Sequence, residues 1–178
     1  ELIRQYKSKK QQAQVIKDYA TAKFNSPKLS SDSIGIWYEV INEGTGDPFD
    51  YTTSNPKISV NYKGELIDGT VFAATKEGTP ANYSNYRITF TETTLGQFLG
   101  LCWGYAFLPE SINNNGIESK IYGLLPKGLK KGSKIRLITP SVWGFDNRAY
   151  KIGDGPSIPA DSPLVYTIEV VSIEKPTN

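Results

Sequence analysis

Histidine and methionine are absent from this 178-residue chain, and cysteine occurs once, at Cys102. Without histidine the commonest neutral-pH general base is missing. That argues against serine-hydrolase chemistry and against zinc centres built on imidazole. A single cysteine forms no internal disulfide framework. No apolar run approaches the roughly 20 residues of a bilayer-spanning helix. Charge of one sign is also lacking: 20 Lys and Arg against 18 Asp and Glu leave +2, too little to suggest nucleic acid. The cluster Lys127, Lys130, Lys131, Lys134 and Arg136 reads as a solvated turn and strand face. The glycines at 123 and 128 lack the Lys-Ser/Thr pair of a phosphate loop, and Pro126 lies between them. Asp146, Asp154 and Asp161 are too irregularly spaced for a calcium loop. Neither a metal nor a cofactor is expected.

What the chain does have is aromatic residues and alternating hydrophobicity, in a length that suits one domain with an appendage. Residues 1–24 have helical composition with a thin apolar stripe (Leu2, Ile3, Tyr6, Val15, Ile16, Tyr19), broken by Lys9 and Lys10. A helix packed on the domain, or a spacer, fits this better than a membrane-surface helix. Residues 25–33, Ser-rich and containing Pro27, read as a linker. Gly35 to Ile41 reads as a strand, ended by a turn from Glu43 to Pro48.

The most informative run is Val60 to Phe72. Val60, Tyr62 and Leu66 alternate with Asn61, Lys63 and Glu65, the pattern of a half-buried strand. Asp68-Gly69 then supplies a turn with positive φ that returns the chain through Val71 and Phe72. A hairpin is expected that presents Tyr62 and Phe72 to one interior, as core residues or as the walls of a small apolar pocket. After a polar connection, Tyr86 to Phe90 alternates again, and Leu95 to Leu108 is strongly apolar. Residues 109–116 read as a loop and 117–125 as a short helix. Strands are expected at Ile135–Thr139 and over 164–171, separated by a long loop from Pro140 to Pro159. In the last strand Leu164, Tyr166, Ile168 and Val170 share one face.

Three segments carry a family likeness: VNYKGELIDGTVF (60–72), LKKGSKIRLITPS (129–141) and PSIPADSPLVYTIEVVSI (156–173). Together, and in this order, they resemble the FKBP-type peptidyl-prolyl cis-trans isomerases over roughly 50–173. The resemblance implies an α+β fold: a twisted antiparallel sheet of five or six strands wrapped on a short helix, with an N-terminal helical extension. The expected organisation is a helix and linker over 1–33, then an FKBP-like domain over 34–178 with an insertion around 95–120. It further implies rotation about X-Pro bonds in unfolded or exported polypeptides. No bond is broken in that reaction, so the missing histidine is no obstacle.

By resemblance, Tyr62, Phe72 and Tyr166 would wall the pocket, with Tyr86 as a further wall residue. Its floor would be Tyr122, if aligned without gaps from Gly132, or Trp103, if aligned by residue type. Ile158 would offer its backbone N–H to the substrate carbonyl. Trp143, with Phe145 as the alternative, would close the top. One departure is plain: Ala73 stands where the family usually has an Asp after the hairpin Phe. This substitution is expected to weaken turnover and the binding of macrolide-type inhibitors. It opens a second possibility, a non-catalytic folding helper or proline-peptide binder. The helical leader, together with a chain that starts at Glu1 and has no Met, leads us to expect a trimmed, exported protein of the periplasm or cell surface, lipid-anchored forms included.

Overall fold

The computed structural model describes residues 1–83 and 99–176. A helix α1 (Leu2–Lys23) is followed by strands β1 (Lys28–Leu29), β2 (Trp37–Glu43), β3 (Lys57–Glu65), β4 (Val71–Ala74) and β5 (Ala81–Tyr83). A short helix α2 (Cys102–Phe107) precedes β6 (Ser111–Asn114) and β7 (Ile117–Lys120). The chain ends in β8 (Ser133–Thr139), a single 3-10 turn (Ser141–Trp143) and β9 (Leu164–Glu174). This mostly antiparallel sheet with one N-terminal and one short helix is the fold class expected. The strand expected at Tyr86–Phe90 lies outside the described residues.

Two compact units emerge, each assembled from separated stretches of chain: 1–41, 62–75 and 135–168 in the first, 42–61, 76–134 and 169–178 in the second. Seven of the described strands form one sheet, rather than the five or six strands expected, in the order β1-β2-β8-β9-β3-β4 with β5 paired to β3. The alternation read from sequence is obeyed. Leu164, Tyr166 and Ile168 are wholly buried on one face of β9, while Thr167 on the other face is half-buried. Val165 breaks that polar face because α1 covers it: Ile16, Ala20 and Phe24 pack on Ile138 and Val165. That explains the weak apolar stripe of α1, whose buried apolar side chains all lie in its C-terminal half. The buried carboxylate of Glu39 accepts the N–H groups of Asn25 (2.7 Å) and Ser26 (3.3 Å) and so fixes the chain as it leaves the helix.

The β3–β4 hairpin forms as expected, with a refinement at its tip. Among the tip residues only Gly69 is left-handed (φ +90°), so the loop is not the two-residue turn with both φ positive. Gly69 N–H donates to Leu66 O, Leu66 N–H donates to Thr70 O, and the Asp68 carboxylate accepts the Thr70 N–H at 2.9 Å. The hydrogen bonds from Thr70, backbone first, hold the Asp68 carboxyl below its usual range.

In the second unit, all six residues of α2 are buried. The helix expected over 117–125 is instead β7, paired antiparallel with β6. Asn115 (φ +54°) and Gly116 (φ +82°) form the left-handed turn between them, and Asn113 Oδ1 accepts the Gly116 N–H at 3.0 Å.

Candidate functional site

Three of the expected wall residues converge in the first unit. The Phe72 ring meets Tyr166 edge-on, with centroids 5.6 Å apart and planes at 83°. Tyr62 lies 6.4 Å from Tyr166 at a tilt of 57°. Phe72 and Tyr166 are fully buried, and Tyr62 is half-buried at the margin. Gly64 lets the rings close up. A Cβ there would stand 2.5 Å from Phe72 Cζ and 2.9 Å from Tyr166 Cε1. A bulge in β4, opposite the Gly64/Glu65 step of β3, sets Gly64 opposite Ala73 and leaves Phe72 unopposed, turned into the interior. Gly155 closes from the other side, since a Cβ there would sit 2.2 Å from the Phe72 carbonyl oxygen.

The long loop between β8 and β9 adds a second aromatic pair: Phe145 is buried and stacks on Tyr150 at 4.2 Å, with planes 10° apart. Tyr150 also bridges Ile158 through two backbone hydrogen bonds of 3.0 and 2.7 Å. Two cavities lie elsewhere. One of about 480 Å³ is lined by Tyr6, Lys9, Ala13, Ile16 and Pro140, among others. One of about 160 Å³ is lined by Phe49, Tyr51, Pro109 and Lys127, among others. Among the described residues no group of three His, Cys, Asp or Glu side chains is placed to hold a metal, and no helix is long and apolar enough to cross a membrane.

No protein-family model matches the chain. It is 30% identical over 154 residues to the FKBP-type peptidyl-prolyl cis-trans isomerase FkpA of Buchnera aphidicola, covering 85% of this chain and 46% of that protein. It is 38% identical over 66 residues to the peptidyl-prolyl cis-trans isomerase Mip of Coxiella burnetii, covering 36% of this chain and 27% of that protein. The crystal structure of Escherichia coli FkpA superposes with a TM-score of 0.56 at 26% identity, over 96% of this chain and 64% of the other. The chain belongs to the FKBP-type peptidyl-prolyl isomerase family. It spans less than half the length of the FkpA sequences it matches. The structure of AtFKBP13, at 21% identity and a TM-score of 0.56, shares the fold.

Three positions have surroundings that bear on the family's expected residue roles. The Ile158 N–H donates to the Tyr150 carbonyl at 2.7 Å, and the residue is buried. Tyr122, favoured as floor by gap-free register, is 59% exposed in a left-handed conformation (φ +65°) just beyond the β6–β7 hairpin. The other candidate, Trp103, is fully enclosed and stacked on Phe107. Trp143 does not stand as a simple overhang. Its indole N–H donates to Ile34 O at 2.7 Å and Lys9 Nζ lies 5.2 Å from its ring, which ties it towards α1. Phe145 is the loop ring that is buried. Tyr86 lies outside the described residues. Sequence reasoning missed Tyr150, for which a long polar loop gives no periodic signal. It also passed over Gly64, although the spacing Tyr-x-Gly before the turn marked a position where a side chain is excluded.

Proposed function

We propose that this chain is a peptidyl-prolyl cis-trans isomerase that accelerates rotation about X-Pro bonds in unfolded or exported polypeptides. The observation that carries this is the convergence of Tyr62, Phe72 and Tyr166, made possible by the missing side chain at Gly64. The barrier of about 18–20 kcal/mol comes from amide resonance, whose charge-separated form is stabilised by water. A dry aromatic wall that takes up the proline ring withdraws that solvation and favours the twisted amide. Each 1.36 kcal/mol removed raises the rate about tenfold, so no nucleophile or metal is required. Kinship with FkpA and Mip supports the assignment and favours an exported protein of the periplasm or cell surface.

Ala73 favours a second possibility, a proline-peptide binder or chaperone with little turnover. It also predicts weak macrolide-type inhibition. A protease-coupled assay on proline tetrapeptides distinguishes the two. The isomerase gives a rate above background that Phe72→Ala lowers at least about tenfold. A background rate at micromolar protein, with peptide binding retained, selects the binder. Loss of both overturns the site.

A further inference from the structure

The N-terminal half of α1 buries few apolar side chains, yet it places four polar ones on a single loop. Arg4, Ser8 and Gln12 follow at intervals of four residues, which sets them on one helix face. Arg4 grips the Asp146 carboxylate with both terminal nitrogens, at 3.0 and 2.6 Å, and Gln5 adds a longer bond at 3.4 Å. Ser8 Oγ lies 3.4 Å from Ser141 Oγ, both buried. Gln12 does the most. Its Oε1 accepts the Ser141 N–H at 2.8 Å, and its Nε2 donates to Ser141 Oγ at 2.9 Å and to Asp161 O at 3.1 Å.

These contacts meet at the two ends of one loop. Asp146 N–H donates to Ser141 O and Asp161 N–H to Asp146 O, each at 2.8 Å. Both aspartates are left-handed, at φ +57° and +62°, a conformation that needs support from its surroundings. Between the two clamped ends run Phe145, Tyr150 and Ile158, the pair of stacked rings and the bridge that close the loop. The helix lies on the face of β9 that carries Val165, opposite the face of Tyr166, so it reaches the loop only from behind. We propose that the Arg4–Ser8–Gln12 face of α1 is a positioning device that sets the 141–161 loop over the aromatic wall, with Gln12 as the central positioning residue. The leader thus determines how a proline peptide is seated, a role that rests on the isomerase assignment and extends it to substrate selection.

The test uses the full chain carrying Gln12→Ala, Arg4→Ala and both together. Gln14→Ala is the control, because Gln14 donates to Asp18 at 2.8 Å on the exposed side of the same helix. Amide hydrogen exchange is followed in 142–161 and in β8. The positioning role predicts exchange in the loop at least about tenfold faster, with β8 unaltered. It also predicts a rise in KM that differs among X-Pro peptides, with kcat little changed, and recovery in Gln12→Asn exceeding that in Gln12→Ala. Unchanged loop exchange overturns the proposal whatever the activity. Faster loop exchange with unchanged kinetics overturns it equally. If the wild-type chain shows no turnover, the isomerase assignment falls separately, and the same variants are titrated with the proline peptide. Affinity weakened at least about fivefold sustains the positioning role, and equal affinity refutes it.

Discussion

Replacing Gly64 by alanine adds one methyl group where the chain has no room for it. The new Cβ would stand 2.5 and 2.6 Å from Phe72 Cζ and Cε1, and 2.9 Å from Tyr166 Cε1. Carbon atoms rest comfortably at about 3.5–4.0 Å, so the shortfall is about one ångström against Phe72 and a little less against Tyr166. Neither ring has an easy retreat. Both are fully buried, and the backbone at Gly155 presses on the Phe72 carbonyl. Over-packing of this kind costs about 1–3 kcal/mol. At about 2–4 °C per kcal/mol for a chain of this size, Tm should fall by about 2–12 °C. Turnover should fall further than stability suggests, because an ångström of displacement at a reacting site costs up to about a hundredfold. Thermal unfolding and the protease-coupled assay measure the two effects. Gly104→Ala in α2 is the stability control: nothing lies within 4 Å of its Cβ position, so it should be neutral or gain about 0.5–1 kcal/mol. If Gly64→Ala keeps both its Tm and its full rate, the three rings do not pack as described and the site assignment fails with them.

Restoring a carboxylate with Ala73→Asp should raise kcat/KM in the same assay, and a fall would show that the family's acid has no place in this cleft. Burial pushes the Cys102 thiol well above its ordinary range, so a disulfide reagent at pH 8 should leave it unmodified in the folded chain and label it fully in denaturant. Rapid labelling under native conditions would contradict the packing of α2. The hydrogen bonds from Arg4 lower the Asp146 carboxyl, with smaller help from Gln5 and Arg148, while Glu1 shares the Arg4 guanidinium from its exposed side. A carboxyl depressed in the folded state stabilises above its unfolded value, about 3.9, and that stability is lost as pH falls through the folded value. Asp146→Asn should therefore be less stable than wild type at pH 7, with the difference shrinking below about pH 4 in denaturant titrations. A difference that stays constant with pH would mean the ion pair contributes nothing.

The parts of this fold that sequence disclosed are those governed by local rules. Period-two alternation gave β3, β8 and β9, while the grouping of Tyr62 with Tyr166 came from the family resemblance. The Asp68-Gly69 tip gave the hairpin that carries Phe72. The errors fall where tertiary contacts decide. Lys28–Leu29 is strand only because β2 pairs with it, and a Ser-rich linker composition cannot show that. The β6–β7 hairpin was legible after all: Asn115-Gly116 is a strong two-residue turn signal, overlooked within a polar run taken for a loop. A gap-free register makes no room for this hairpin, and Tyr122 lies exposed just beyond it. The fates of Ile158 and Trp143 depend on Tyr150 and Ile34, partners that no motif spacing announces.

The base of that hairpin is closed by its own backbone. Pro109 and Leu125 bridge, Gly123 N–H donates to Pro109 O, and Ile121 and Tyr122 both donate to Glu110 O. At Gly123 and Gly128 any side chain would collide with main-chain atoms of Phe107, Leu108 or Pro109. The excursion therefore begins and ends at one knot, and its tip transmits no tension to the helix before it. Such an appendage can be lengthened, shortened or exchanged for a different sequence while its anchor stays fixed, which makes it the natural place for this lineage to acquire new surface chemistry, and for an experimenter to graft a tag or a probe.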